Sequence, residues 1–203
     1  MGAPSALYWL VQPDVPGCPL PLIDRAIIVA AREWCDLTQT AVEVLAVSSA
    51  NGQQSYPLTL SSLDLDIARI TGVTYGAYDL GPMTGNTSQA KLDAQGGAPG
   101  FFWLEGTTLW LDRVPQSVVS LAVSAAVKPK VGAATLPDAL VSGDPGLAIG
   151  ARAKSALMMS KQSWGDPALG AWNESEFQRM ARNAINLNVR NGTNAPLRVT
   201  SIP

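Results

Sequence analysis

Hydrophobic positions in this chain follow a helical period at both ends and a strand period in the middle. From Pro19 to about Asp36, apolar residues recur every three or four positions, at Leu22, Ile23, Ala26, Ile27, Ala30 and Trp34. The same spacing returns after Asp144-Pro145-Gly146 and after Asp166-Pro167. An aspartate followed by proline is typical of a capped helix start. The pattern therefore predicts one helix near the N-terminus and two near the C-terminus, the last ending at about Arg190.

The two C-terminal helices are predicted to pack through different kinds of side chain. The first has a narrow stripe of mostly small residues, Ile149, Ala153, Ala156, Leu157 and Ser160. The second has a bulkier stripe, Leu169, Trp172, Phe177, Met180, Ala181, Ala184 and Ile185. The other faces are charged, with Arg152, Lys154, Glu174, Glu176, Arg179 and Arg182. We expect the large aromatic residues to be the packing anchors between helices: Trp34, Trp164 in the connecting turn, Trp172 and Phe177.

The pattern in the middle of the chain predicts a set of short strands. Apolar and polar residues alternate over 40–48, 53–60, 66–75, 101–104, 107–112 and 117–127, which predicts six strands. Asn51-Gly52 and Glu105-Gly106 are predicted as hairpin turns. The intervening segment 80–100, rich in Gly, Thr, Ser and Asn, is predicted as a long loop. The strands indicate a small antiparallel β-sandwich or barrel-like lobe.

These elements predict an α+β protein in which a bundle of three to four helices carries an inserted β lobe. Residues 18–37 and 135–190 form the predicted helical domain, and residues 38–131 form the lobe, with 128–137 as a linker. Residues 1–17 are expected to be extended, with Tyr8, Trp9 and Leu10 in a short strand. Residues 191–203 are expected to form a C-terminal arm.

Charge is sparse and unevenly distributed. Only 15% of residues are charged, against about 25% in an average soluble domain. Residues 1–149 carry seven Lys and Arg against thirteen Asp and Glu, whereas residues 150–203 carry seven against three. Either much of the surface meets other protein molecules, with the basic end facing an acidic partner, or the chain is an ordinary alanine-rich globular protein. No apolar run is long enough to predict a membrane span.

Most catalytic and metal chemistry is excluded by composition. The chain has no histidine, which removes the histidine-dependent nucleophile systems and the zinc-protease helix motif. Cys18 and Cys35 are expected to be free, because the intervening helix would hold them about 25 Å apart. No secretory signal precedes them, so synthesis in the cytosol is expected. We therefore predict no catalytic residue, no metal site and no cofactor.

Four further features bear on weaker alternatives. Asp64 and Asp66 share a strand face, as in some glycosidase or calcium sites, although a solvated strand edge is the simpler interpretation. Trp103 and Trp110 on adjacent strands would suit a sugar-stacking platform or a core pair. The glycines of segment 96–100 indicate a flexible loop and not a phosphate cradle. A basic series, Arg179, Arg182, Arg190 and Arg198, allows non-specific proximity to DNA without sequence reading.

Several stretches, taken in order, resemble one family of virion proteins. Cys18-Pro19-Leu20-Pro21-Leu22-Ile23 leads into Ala30-Ala31-Arg32-Glu33-Trp34-Cys35, and Ile149-Gly150-Ala151-Arg152-Ala153 is followed by Trp164-Gly165-Asp166-Pro167, Ala171 and Phe177. This order is similar to that of the head-to-tail connector (adaptor) proteins of tailed bacteriophages. The chain departs from the family at Gly143-Asp144-Pro145-Gly146, where the relatives tend to continue the helix.

The resemblance implies a structural role in the phage neck. Connectors assemble as rings, commonly dodecamers, below the capsid portal, and they extend the DNA channel to a tail, nozzle or stopper protein. It also implies a C-terminal arm that reaches the portal or a neighbouring subunit, and Pro196, Leu197, Arg198, Val199 and Ile202 are its candidate contacts. The alternative from another class is a carbohydrate- or receptor-binding β module on a helical scaffold.

Overall fold

The structure, a computed structural model, describes residues 1–48, 52–85, 87, 91, 95–160 and 162–192. It contains α-helices and a curled β-sheet, which confirms the α+β class. The chain divides into two compact units, which we call the helical unit (Met1–Ala41 with Lys128–Pro203) and the β unit (Val42–Val127). No helix within the described residues is long and apolar enough to cross a membrane.

Three long helices of the helical unit pack against one another. The described helices are α1 (Tyr8–Val11), α2 (Leu20–Thr38), α3 (Asp138–Val141), α4 (Gly143–Met158) and α5 (Pro167–Gly192), and the contacts among α2, α4 and α5 dominate the unit. Helix α2 ends where Gln39 adopts a left-handed conformation and its N–H donates to the Cys35 carbonyl.

The two predicted aspartate caps have different outcomes. Asp166 caps α5 as expected, because its Oδ1 accepts hydrogen bonds from the backbone N–H groups of Ala168 and Leu169, both at 3.1 Å. Asp144 does not cap α4, since the N-cap position is Ser142 and no side-chain cap bond forms. The helix begins earlier because Gly143, with φ of 61°, turns the chain directly out of α3.

The N-terminal segment is helical and not extended, so the predicted strand at Tyr8, Trp9 and Leu10 is wrong. Two 3-10 helices, Pro4–Leu7 and Gln12–Asp14, flank α1 and make one nearly continuous helical run. Leu7, Val11 and Val15 recur every four positions along it and are all buried. Prolines favour an extended chain, but Pro4 and Pro13 each stand in the first turn of a 3-10 helix, where proline is tolerated.

The buried stripe of α5 is shifted from the predicted one. Phe177 and Ala181 are buried as expected, but Leu169, Trp172 and Ile185 are exposed. The buried face instead includes Asn173, whose Nδ2 donates to the Leu169 carbonyl at 2.9 Å. Because this local bond satisfies the amide, a polar residue can occupy a position that the pattern assigned to solvent.

The β unit is one curled, mixed sheet of seven described strands. The strands are β1 (Val42–Ser48), β2 (Ser55–Pro57), β3 (Leu65–Tyr75), β4 (Tyr78–Pro82), β5 (Phe101–Glu105), β6 (Thr108–Leu111) and β7 (Ser120–Pro129), in the order β1-β7-β3-β4-β5-β6-β2. Its core contains Tyr56, Leu58, Val73, Tyr75, Leu80, Phe102, Leu109, Leu111, Leu121 and Val123.

The strand pairing corrects three expectations. The predicted hairpin at Asn51-Gly52 does not pair its strands, because β1 pairs with β7 and β2 pairs with β6 at opposite ends of the strand order. Strand β4 occupies the start of the predicted loop 80–100 and pairs in parallel with β5, so the sheet is not purely antiparallel. The hairpin at Glu105-Gly106 is confirmed, with Gly106 at φ of 59°.

Candidate functional site

Two of the four predicted packing anchors meet in the interior of the helical unit. Trp34 of α2 is 1% exposed and Phe177 of α5 is fully buried. Their ring centroids lie 6.1 Å apart with the planes inclined at 58°, a favourable tilted arrangement for aromatic rings. The Trp34 indole N–H also donates to the Thr40 hydroxyl at 2.9 Å. This pair joins the N-terminal helix to the C-terminal one.

The other two predicted anchors lie elsewhere. Trp172 is 58% exposed and therefore does not pack between the helices of one chain. Trp164 is half-buried in the turn before α5, where its Nε1 has no hydrogen-bond partner among the described residues. A Cβ at Gly165 would lie 2.3 Å from the Ser160 carbonyl oxygen, so this tight turn requires glycine.

A charged cluster missed by the sequence reading ties the three long helices together. Arg152 of α4 donates through Nε to Glu33 of α2 at 2.7 Å and through a terminal nitrogen to Glu174 of α5 at 2.8 Å. Ser155 donates to the same Glu174 carboxylate at 3.2 Å. The Arg152 guanidinium also lies 5.9 Å from the centre of the Phe177 ring. The partners come from segments far apart in the chain, so no local spacing predicts the cluster.

The outer face of α2 carries an apolar groove, here called the α2 groove. Its volume is about 470 Å³, and it is lined by Pro21, Asp24, Arg25, Ile28, Val29, Arg32, Val131 and Gly132. Val29 is 50% exposed and Val131 is 81% exposed. Leu22, two turns before Val29 on the helix surface, is also exposed. Exposed aliphatic side chains beside charged ones are typical of protein contact surfaces.

One wall residue of the α2 groove is held by the N-terminal helical segment. The Tyr8 hydroxyl donates to Asp24 Oδ1 at 2.6 Å. This hydrogen bond, helped by burial and by the carboxylate charge, raises the pKa of Tyr8 to about 12. The bond fixes Asp24 at the groove and ties residues 1–17 to α2.

A second apolar groove, here called the Trp172 groove, lies among α1, α4 and α5. It has a volume of about 150 Å³ and is lined by Leu10, Leu147, Gly150, Ala151, Lys154, Trp172, Asn173, Glu176 and Met180. Gly150 makes it possible for α1 to approach α4, since a Cβ there would lie 3.1 Å from Leu10 Cδ1. The exposed indole of Trp172 forms one wall. The α2 groove and the Trp172 groove share no helix.

Trp103 and Trp110 form a cross-strand pair outside the main core of the β unit. Their rings stack at 6.0 Å with planes inclined by 13°, and the Trp110 face is also covered by the Lys91 ammonium at 4.2 Å. Trp103 is only 7% exposed, and its indole N–H donates to Glu105 at 3.3 Å. A sugar-stacking platform needs an open ring face, whereas this pair presents its faces to each other and to a lysine.

The other features considered for catalysis or ligand binding are the acidic side chains, the glycine segment and the two cysteines. Within the described residues no group of three Asp, Glu or Cys side chains could hold a metal ion. The glycine segment at Gly100 is bound by Asp112, whose Oδ1 accepts the N–H groups of Gly100 and Phe101 at 2.9 Å each, and a carboxylate there opposes phosphate binding. Cys18 and Cys35 are free and buried, and burial raises the pKa of Cys35 to about 12.

The C-terminal arm lies outside the described residues, so its candidate contacts Pro196, Leu197, Arg198, Val199 and Ile202 have no structural outcome. Among the basic series, Arg179 is paired with Glu176 at 2.8 Å and Arg182 is exposed on α5. No protein-family model matches the chain, and no curated protein matches it. The geometry of the grooves and the order of the sequence stretches are therefore the basis for a functional proposal.

Proposed function

We propose that the chain is a head-to-tail connector of a tailed bacteriophage, a structural protein that forms a ring between the capsid portal and the tail. The observation that carries this proposal is the presence of two apolar grooves on the helical unit that share no helix. A ring grows by pairing one surface of a subunit with a different surface of the next, and it closes when the rotation divides a full turn. Two distinct apolar surfaces meet that requirement.

The surfaces have the composition of an assembly interface. Trp172 is 58% exposed, and tryptophan is enriched among the residues that dominate binding energy. Val29 and Val131 offer an aliphatic surface on α2 for such a side chain to cover. We infer that the Trp172 groove of one copy contacts the α2 groove of the next. The helices would then form the wall of the ring.

The remaining parts of the proposal follow from the resemblance to connectors. The ring, a dodecamer, would dock on the portal protein and extend the DNA channel, with Arg182 of α5 available to a phosphate backbone. The barrel-like β unit would lie at the periphery or meet the next tail, nozzle or stopper protein. The arm containing Pro196, Leu197, Arg198, Val199 and Ile202 would bind the portal or a neighbouring subunit. The chain would be made in the host cytoplasm and reside in the neck of the virion, without an enzymatic role.

The experiment that tests the proposal is sedimentation of the purified protein alone and then with portal particles from the same phage. We expect saturating incorporation as an integral ring. Val29→Glu and Trp172→Glu, which place a charge in each groove without altering the core, are expected to abolish incorporation. Val118→Glu, at a site 71% exposed in the β unit, is the matched control and should incorporate normally.

Three outcomes would contradict the proposal. The wild-type protein could remain monomeric with the portal, the two groove variants could incorporate as the wild type does, or the Val118→Glu control could fail as they do. The carbohydrate- or receptor-binding alternative has no comparable observation behind it, because the Trp103 and Trp110 faces are covered.

A further inference from the structure

The curled sheet of the β unit has an open seam along its first strand. β1 stands at one end of the strand order and β2 at the other. A cavity of about 640 Å³ lies between β1 and the segment that follows β2, lined by Glu43, Val44, Leu45, Ala46, Val47, Pro57, Thr59 and Ser61. Five consecutive residues of β1 line it, so the cavity follows the edge of the strand and not one of its faces. We call this cavity the seam.

The two sheet edges differ in how they are protected against pairing. β2 is only three residues long and ends at Pro57, which are two usual ways to block strand addition. β1 is seven residues long and contains neither proline nor lysine, with β7 on one side and the seam on the other. Val42 and Val44 are 52% and 68% exposed. β1 is therefore the edge that can accept another strand.

Glu43 gives the seam a single charge. Among the described residues that line the cavity, it is the only charged one. Its carboxylate accepts hydrogen bonds from the Ser61 hydroxyl and from the Ser61 N–H, the latter at 3.3 Å. These bonds bridge the seam at one point, and among the described strands none but β7 pairs with Val44–Val47. A strand that enters the seam should therefore be mostly apolar and carry one positive charge.

We propose that the C-terminal arm of a second copy enters the seam and pairs with β1. The arm supplies Leu197-Arg198-Val199-Thr200-Ser201-Ile202, a sequence rich in β-branched residues, and Arg198 is its only charged side chain. Residues 193–203 follow α5 and can span roughly 35 Å when extended, enough to cover a seven-residue strand. Arg198 is complementary to Glu43. This pairing would add an eighth strand, by the strand-addition mode of peptide recognition.

This inference rests on the proposed ring, and it identifies the neighbouring subunit as the binding partner of the C-terminal arm. Each copy donates one arm and receives one, which is a head-to-tail contact that is satisfied for every subunit only when the ring closes. The portal is the competing partner of the same arm. A cysteine pair distinguishes the two, because copies of this chain contain the seam and the portal does not.

The test is a disulfide between Val44→Cys and Val199→Cys, made in the full chain and oxidised after ring assembly on the portal. We expect a ladder of covalent oligomers on a non-reducing gel, with ladder intensity at least tenfold above that of either single variant. Cys18 and Cys35 are buried and should not contribute. Val118→Cys with Val199→Cys is the control, since Val118 is exposed outside the seam.

Exchanging the charges of Glu43 and Arg198 provides a second test of the pairing, measured by the same cross-linking. Glu43→Arg and Arg198→Glu are each expected to lower cross-linking two- to fivefold, the range of a partly exposed ion pair, and the double variant should restore it. Ser61→Ala controls for the lost hydrogen bonds of Glu43.

The possible outcomes separate this inference from the proposed function. Rings that incorporate on the portal but give no ladder would overturn the seam inference and leave the connector proposal intact. A fast-migrating monomer in place of a ladder would show pairing within one chain and would also overturn it. A ladder from protein that never joins the portal would support arm exchange while contradicting the connector role.

Discussion

The helical unit and the β unit bury their residues in different ways. The β unit has a core of large aliphatic and aromatic side chains, such as Phe102, Leu111 and Leu121. The helical unit packs α4 through small residues, including Ala148 and Ala153, and bridges its helices with the Arg152 cluster. The same unit also buries large side chains, Trp34 and Phe177 among them.

The two units also supply different kinds of candidate assembly surface. In the helical unit, the two grooves present Val29 and Trp172, which are 50% and 58% exposed. The β unit, by contrast, covers its tryptophans by stacking Trp103 on Trp110. The helical unit therefore offers exposed side chains that a partner can bury, whereas the β unit offers the edge of β1. Substitutions can test the core of each unit, the Arg152 cluster, and the attachment of residues 1–17 to α2.

The largest expected effect is the loss of a fully buried aromatic ring. Phe177→Ala should lower the free energy of unfolding by about 3 to 5 kcal/mol, because it removes the partner of Trp34 and leaves a cavity among three helices. Leu111→Ala in the β unit should cost about 2 to 5 kcal/mol. Both are measured by chemical denaturation of the full chain.

Trp172→Ala is the matched control for Phe177→Ala, since both residues are aromatic and lie on α5. It should change the free energy of unfolding by less than about 1 kcal/mol because its side chain is mostly exposed. An equal cost for the two variants would mean that Trp172 contributes to the interior, and the contrast between buried and surface aromatics would be lost.

An intermediate effect is expected from the charged cluster. Arg152→Met keeps an apolar stem beside Phe177 but removes the ion pairs with Glu33 and Glu174. All three charged side chains are about 30% exposed, so each pair is expected to contribute only about 0.5 to 1 kcal/mol. The total loss should be about 1 to 2 kcal/mol in chemical denaturation.

A double-mutant cycle sharpens this prediction. Glu33→Gln combined with Arg152→Met should cost less than the sum of the two single variants, because they remove the same contact. Lys154→Met, which breaks a single pair with Asp14, is the control and should cost less than Arg152→Met. Strict additivity of Glu33→Gln and Arg152→Met would show that the cluster does not couple α2 to α4.

The sequence predicted helices correctly where a single local signal, such as an apolar period or a capping residue, determines the structure. The helix at Leu20–Thr38 has an unbroken apolar period, and Asp166 caps α5 as its position before proline indicates. The errors occurred where a distant contact decided the outcome. Asn51-Gly52 is a good local hairpin signal, yet β1 pairs with β7, which lies more than seventy residues away in sequence. Asn173 is buried because one backbone carbonyl satisfies it.

The candidate surfaces were harder to predict than the elements. Trp172 belongs to the apolar period of its helix, and only the placement of α4 shows that this residue faces outward. The Arg152 cluster and the seam each combine residues from separate segments of the chain, so no local sequence motif indicates either of them. The seam in particular depends on sheet curvature, which brings Pro57 to the same cavity as β1.

The smallest expected effect concerns residues 1–17, which were predicted from the sequence to be extended and contain helical turns in the structure. In the folded state the bond to Asp24 raises the pKa of Tyr8 from 10.0 to about 12, so the folded chain retains a proton that the unfolded chain loses above pH 10. The stabilisation is therefore complete below pH 10 and is lost as pH rises towards 12.

Tyr8→Phe should remove this dependence. The difference in unfolding free energy between wild type and Tyr8→Phe, measured by denaturation at a series of pH values, should be constant up to about pH 9 and shrink above pH 10. Tyr78→Phe is the control, because Tyr78 is 74% exposed in the β unit. A difference that stays constant through pH 11 would show that the hydroxyl does not hold its proton against Asp24, and that the other contacts of residues 1–17, such as the burial of Leu7 and Val11, hold this segment in place.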